Sequence, residues 1–79
     1  MFLEIVTPDK KIFSGEIKQV KVPGTKGPFE VLNNHASIIS TLIKGEVKIV
    51  SPDGEKLLYS ISSGVIEVKN NKIVVLAEL

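Results

Sequence analysis

His35 is the only histidine in the chain, and it closes the corner Asn33-Asn34-His35 between two apolar runs, Phe29–Leu32 and Ala36–Ile39. An imidazole acts as a general base only with a nucleophile or an orienting carboxylate within reach. Glu30 could fold back towards His35, but the sequence supplies no constellation around the pair. His35 is therefore expected to be a structural or interface residue. The preceding Asn pair tolerates left-handed backbone and hydrogen-bonds its own chain, which predicts a sharp corner.

Other chemistry is soon exhausted. The Gly/Pro-dense stretch Pro23-Gly24-Thr25-Lys26-Gly27-Pro28 is not GxxxxGK[ST], and no helix follows it to hold a phosphate. Glu4, Glu16, Glu46 and Glu67 lie in strand-like segments without the pairing that acid–base work needs. They are expected as outward or edge charges. There is no cysteine and only one histidine. That excludes disulfides, Cys-based zinc and a histidine cluster, so no metal and no cofactor are expected.

The ten basic residues are all Lys, against nine acidic ones, for a net charge of +1. A nucleic-acid surface usually carries a basic excess and Arg. A stand-alone small β-barrel binding peptide or nucleic acid is the alternative reading, but the absence of Trp and the presence of only three Phe argue against it. No apolar run approaches the ~20 residues of a membrane span. Met1-Phe2-Leu3-Glu4 has no basic leader region, so the expected location is cytoplasmic.

The elements that position these residues read as strands. Phe2–Thr7 is β-prone and ends at Pro8-Asp9. Ile12–Glu16 follows, with Gly15 suggesting a bulge. In Ile17–Val22, Val20 and Val22 share a face with Lys18, opposite Gln19 and Lys21. After the Gly/Pro loop come Phe29–Leu32, the corner, and an extended run Ser37–Ile43. Val47 and Ile49 alternate with Glu46 and Lys48. Ser51-Pro52-Asp53-Gly54 is a turn. Leu57, Tyr59 and Ile61 oppose Leu58, Ser60 and Ser62. Ile66 and Val68 share a face, and Asn70-Asn71 signals a type I′ hairpin. Ile73, Val75 and Ala77 alternate with Val74 and Leu76. Seventy-nine residues with many short strands and regularly spaced turns predict one all-β domain, residues 1–79, a sandwich or flattened barrel.

The ordered set of segments resembles the epsilon subunit of F-type ATP synthases. Leu3-Glu4-Ile5-Val6-Thr7-Pro8, Phe13-Ser14-Gly15 and Val20-Lys21-Val22-Pro23-Gly24 look like that family's opening strands. Gly27-Pro28-Phe29-Glu30-Val31-Leu32-Asn33-Asn34-His35-Ala36 is similar to its motif Gly-x-Phe/Ile-Gly-[Ile/Val]-Leu-Pro-[Gly/Asn]-His-Ala-Pro. Gly45–Ile49, Ser63–Val68 and Asn71–Ala77 follow in order. Glu30, Asn33 and Ser37 depart from the motif, standing where the family has Gly, Pro and Pro.

The resemblance implies a flattened sandwich of about ten short, mostly antiparallel strands. It implies a non-catalytic rotor subunit of the central stalk that bridges the gamma subunit and the polar loops of the c-ring, coupling proton flow to ATP synthesis. It places Thr7 and His35 towards gamma, and Gly27, Pro28 and Phe29 towards the c-ring. The Gly/Pro loop and the His35 corner are expected together at one end of the sandwich. The family location is the cytoplasmic face of the bacterial inner membrane, peripheral and without insertion. Family members continue into a C-terminal helical hairpin. The chain stops at Leu79, which reads as a short form without it.

Overall fold

A computed structural model describes every residue, Met1–Leu79. There are nine strands and no helix: β1 (Phe2–Val6), β2 (Lys11–Glu16), β3 (Gln19–Val22), β4 (Phe29–Val31), β5 (Ile38–Leu42), β6 (Gly45–Val50), β7 (Lys56–Ile61), β8 (Ser63–Lys69) and β9 (Lys72–Glu78). They form a five-stranded sheet, β2-β1-β9-β8-β5, and a four-stranded sheet, β4-β3-β6-β7. Every pairing is antiparallel except β1 with β9. The all-β sandwich expected from the sequence is the fold observed, with nine strands where the resemblance implied about ten.

Strand periodicity explains the layering, since successive side chains point to opposite faces. Leu3 and Ile5 on β1, Ile73, Val75 and Ala77 on β9, and Ile66 and Val68 on β8 are buried from one side. Val20 and Val22 on β3, Val47 and Ile49 on β6, and Val31 on β4 meet them from the other. Apart from Leu3, Leu42 and Ala77, the buried apolar cluster is entirely Ile and Val. Such β-branched side chains are stiff and pack well on a pleated surface. Where β2 and β7 form edges of the two sheets, Phe13 and Tyr59 meet edge to face with ring centroids 6.0 Å apart.

Turn chemistry fixes the register. Asn70 and Asn71 have φ of 51° and 61°, the pair of positive values that a type I′ hairpin demands. At Ser51–Glu55 the Asp53 carboxylate accepts from the Ser51 hydroxyl and, at 3.2 Å, from the Glu55 amide. The Ser51 hydrogen bond, seconded by the Glu55 amide, holds the Asp53 carboxyl below its ordinary range. Gly15 does not mark a bulge. It pairs with Leu3 inside a regular ladder, and the register shift falls at Ile5/Val6, just before the Thr7–Lys10 turn.

Candidate docking surfaces

The outward face of the five-stranded sheet divides into rows set by strand register. One row runs Thr41, Val65, Leu76, Val6 across β5, β8, β9 and β1. It is apolar and open: Leu76 is 56% exposed and Val65 37%. The next row is mixed, with Ile39 at 72% exposure followed by Glu67, Val74 and Glu4. At the far end Lys69, Lys72 and Phe2 come into line. The face thus grades from apolar to charged along its strands.

Thr7 lies at the apolar end. With Pro8, Val65 and Leu76 it lines a groove of about 560 Å³. Its amide donates to the Lys10 carbonyl at 2.8 Å. Its hydroxyl donates to the same carbonyl at 3.1 Å and accepts from the Lys10 amide at 3.2 Å. The Pro8-Asp9 turn is thereby locked, and the hydroxyl is largely engaged within it.

The charged end is knit by Glu4. Its carboxylate takes Lys11 Nζ at 2.6 Å and Lys72 Nζ at 3.6 Å. The hydrogen bond from Lys11 is the main cause that lowers the Glu4 pKa. The charges of Lys11 and Lys72 act in the same sense, and partial burial opposes them.

His35 sits at this charged end. Its amide donates to the Leu32 carbonyl at 3.1 Å, closing a turn whose third residue, Asn34, has φ of 63°. That is the position at which a type II turn needs Gly or Asn. Asn71 on the β8–β9 hairpin clips the corner, donating from Nδ2 to Asn33 Oδ1 at 2.7 Å and accepting from the Asn34 amide at 2.8 Å. Nδ1 of His35 lies 2.7 Å from the Ala36 carbonyl. A carbonyl only accepts, so Nδ1 carries the proton and Nε2 is left for another partner. Glu30 points outward on β4 opposite Lys21, and its backbone is unstrained, so it is accommodated where the family motif has Gly.

The Gly/Pro loop is anchored at the other end of β5. Gly24 bridges to Leu42, and Thr25 donates from its amide and its hydroxyl to the Thr41 carbonyl, both at 3.0 Å. Gly27 and Pro28 are exposed at the tip, whereas Phe29 is half-buried against the core. The Phe29 ring lies over Gly24, where a β-carbon would stand 2.8 Å from it.

Only part of the expected grouping is realised. The base of the loop and the corner are held at opposite ends of β5, one tied to Thr41 and Leu42 and the other to Asn71, roughly 15 Å apart, while Gly27, Pro28 and Phe29 lie along β5 and share a groove with Ile38 and Ile39. Thr7 and His35 are likewise parted by the length of β1, since Val6 pairs with Leu76 while the Phe2 amide donates to the Asn71 carbonyl. Thr7 instead joins Thr41 along the same groove. Alternation along single strands does not mark the apolar row. Its signal was Ile73–Ala77, where both faces of one strand are apolar, as in a sheet covered on both sides.

Known proteins bring the decisive comparison. The whole chain, residues 1–79, matches the family described as ATP synthase, Delta/Epsilon chain, beta-sandwich domain. The chain belongs to the ATP synthase delta/epsilon β-sandwich family. It is 41% identical over 78 residues to the ATP synthase epsilon chain of Campylobacter hominis, a match that takes in 98% of this chain and 60% of that one. It is 42% identical to the epsilon chain of Chlorobaculum tepidum over 96% of this chain and 86% of the other. The chain spans about half the length of two further epsilon-chain relatives that it matches, those of Protochlamydia amoebophila and Dichelobacter nodosus. In the cryo-EM structure of the Euglena gracilis mitochondrial ATP synthase, comprising OSCP, F1 and the c-ring, one chain superposes with a TM-score of 0.89. Identity there is 22%, over 95% of this chain and 48% of that chain, and the likeness is one of fold.

Proposed function

We propose that this epsilon-type β-sandwich is a non-catalytic rotor component of an F-type ATP synthase, placed between the gamma subunit and the c-ring in the central stalk. Membership of the family supports this reading. The observation that carries it is the open apolar row Thr41–Val65–Leu76–Val6 beside the Thr7 groove. An exposed apolar stripe on a small domain is a mark of a protein interface. In this reading gamma covers that row and Thr7, and reaches His35 at the charged end. Gly27 and Pro28 at the loop tip face the polar loops of the c-ring, with Phe29 holding the loop from behind. Torque passes through a stiff sandwich, which needs no active site. The complex is membrane-associated, and the chain acts at the cytoplasmic face of the bacterial inner membrane. No helix of the structure is long and apolar enough to cross a membrane.

The test is capture by purified gamma, comparing the native chain with Leu76→Asp. Leu76 is exposed, so the variant should melt like the native chain and bind gamma at least tenfold more weakly, about 1.4 kcal/mol. Equal capture of both would remove the apolar row from the interface. Failure of the native chain to bind gamma would remove the rotor reading itself.

A further inference from the structure

The four-stranded sheet has a second outward surface with different chemistry. Register aligns Lys21 on β3 directly opposite Lys48 on β6, with Leu58 on β7 next in the row. The adjoining row is Gln19, Val50 and Lys56. Each of these alternates with inward-facing neighbours, so all six point away from the core. They line a small groove of about 190 Å³. Like charges directly across a ladder repel. The ion pairs of this molecule engage only Lys11, Lys72 and the chain's terminal ammonium, so Lys21, Lys48 and Lys56 have no carboxylate within 4.0 Å. Glu30, opposite Lys21 on β4, forms no pair with it at that distance. The sheet therefore holds three lysines free of ion pairs beside apolar Val50 and Leu58, with Glu30 and Glu46 at its margin.

We infer that this face docks an acidic protein segment that places a carboxylate between Lys21 and Lys48, a second near Lys56, and an apolar side chain on Leu58. The inference is independent of the gamma and c-ring reading, because none of its six residues lies in the apolar row, at Thr7 or His35, or in the Gly27–Phe29 loop. A protein segment fits better than an anionic bilayer, because Glu30 ends the Lys21 row and Glu46 lies one row beyond on β6. A flat negative surface would meet those carboxylates as well as the lysines, whereas a narrow stripe lies between them. Single-stranded nucleic acid is disfavoured because no aromatic side chain faces outward here to stack on a base: Tyr59 packs against the core.

The experiment is a nitrogen-15 amide NMR titration of the 79-residue chain with a synthetic peptide alternating Glu and Leu. A Gln/Leu peptide, phosphatidylglycerol vesicles and an oligothymidine serve as the other arms. The expected result is shift changes confined to residues around Gln19, Lys21, Lys48, Val50, Lys56 and Leu58, with the Glu peptide alone, weakening as salt is raised. Lys21→Gln/Lys48→Gln should keep the native amide dispersion and bind about five- to tenfold more weakly, as expected for losing two exposed ion pairs. The inference is overturned if the Glu peptide leaves these amides unmoved, or moves lysines all over the surface equally. Binding of vesicles or oligothymidine through this face while the Glu peptide is silent also overturns it. The native-chain map decides these outcomes even if the double variant fails to fold.

Discussion

Asn71 and Asn34 are thirty-seven positions apart in sequence, yet the side-chain oxygen of one accepts the backbone amide of the other at 2.8 Å. The Asn71 Nδ2 group at the same time donates to Asn33 at 2.7 Å. One side-chain amide thus fastens the corner that carries His35 to the β8–β9 hairpin. Asn71 also has φ of 61°, so its backbone and its side chain carry separate duties.

Those duties can be separated by substitution. Asn71→Gly keeps the left-handed backbone and deletes the clip. It should cost about 1–2 kcal/mol and abolish hydrogen-exchange protection of the Asn34 amide. Asn71→Ala deletes the clip and adds the left-handed penalty, a further ~1 kcal/mol. Chemical denaturation of both variants gives the comparison. Equal stability of the two would mean that the backbone term is negligible.

The Gly/Pro loop should be sensitive at its base. A β-carbon on Gly24 would lie 2.6 Å from the Gly27 carbonyl and 2.8 Å from the Phe29 ring. Gly24→Ala is expected to destabilise the fold by about 1–3 kcal/mol through overpacking. Phe29→Asp should lower the melting temperature before it affects any partner, because Phe29 packs on the core. Combining Gly24→Ala with Phe29→Ala should cost less than the sum, since the ring no longer obstructs. Strict additivity in thermal melts would show that the ring is not the obstacle.

His35 offers a sharper test of how far the gamma surface extends. It is half-buried and its Nδ1 is engaged by Ala36. His35→Ala should leave the fold intact and lower gamma affinity by about 1 kcal/mol, roughly fivefold. Calorimetric titration against gamma measures this. Unchanged affinity in a folded His35→Ala chain, alongside a weakened Leu76→Asp chain, would confine gamma to the apolar end.

Acid should act through Glu4. Its folded pKa lies below its ordinary value, chiefly through the hydrogen bond from Lys11. A carboxylate with a depressed folded pKa contributes stability that is present above its unfolded pKa, about 4.3, and is lost as pH falls through the folded value. Glu4→Gln should therefore flatten the loss of stability below about pH 4.3, and should lower stability slightly at pH 7. Urea titrations at both ends of that range provide the check. A native-like acid dependence in Glu4→Gln would assign acid sensitivity elsewhere, with Asp53 in its turn as the next candidate.

The sequence by itself determined where strands form and, in β3, β6, β7, β8 and β9, which residues share a face. Alternation of Val47 and Ile49 with Glu46 and Lys48, or of Ile73, Val75 and Ala77 with their neighbours, is a local pattern, and burial follows it. It determined the turns as well, because positive φ at Asn34, Asn70 and Asn71 is a property of the residue type and its immediate backbone. Tertiary structure alone decided which strands became neighbours. The parallel pairing of β1 with β9 joins residues some seventy positions apart, and no periodicity encodes such a partner. That pairing aligns Val6 with Leu76 and completes the apolar row, while the Asn71 clip holds His35 at the far end from Thr7. The position of a contact surface is set by long-range register, whereas the sequence pattern carries only the face of each strand.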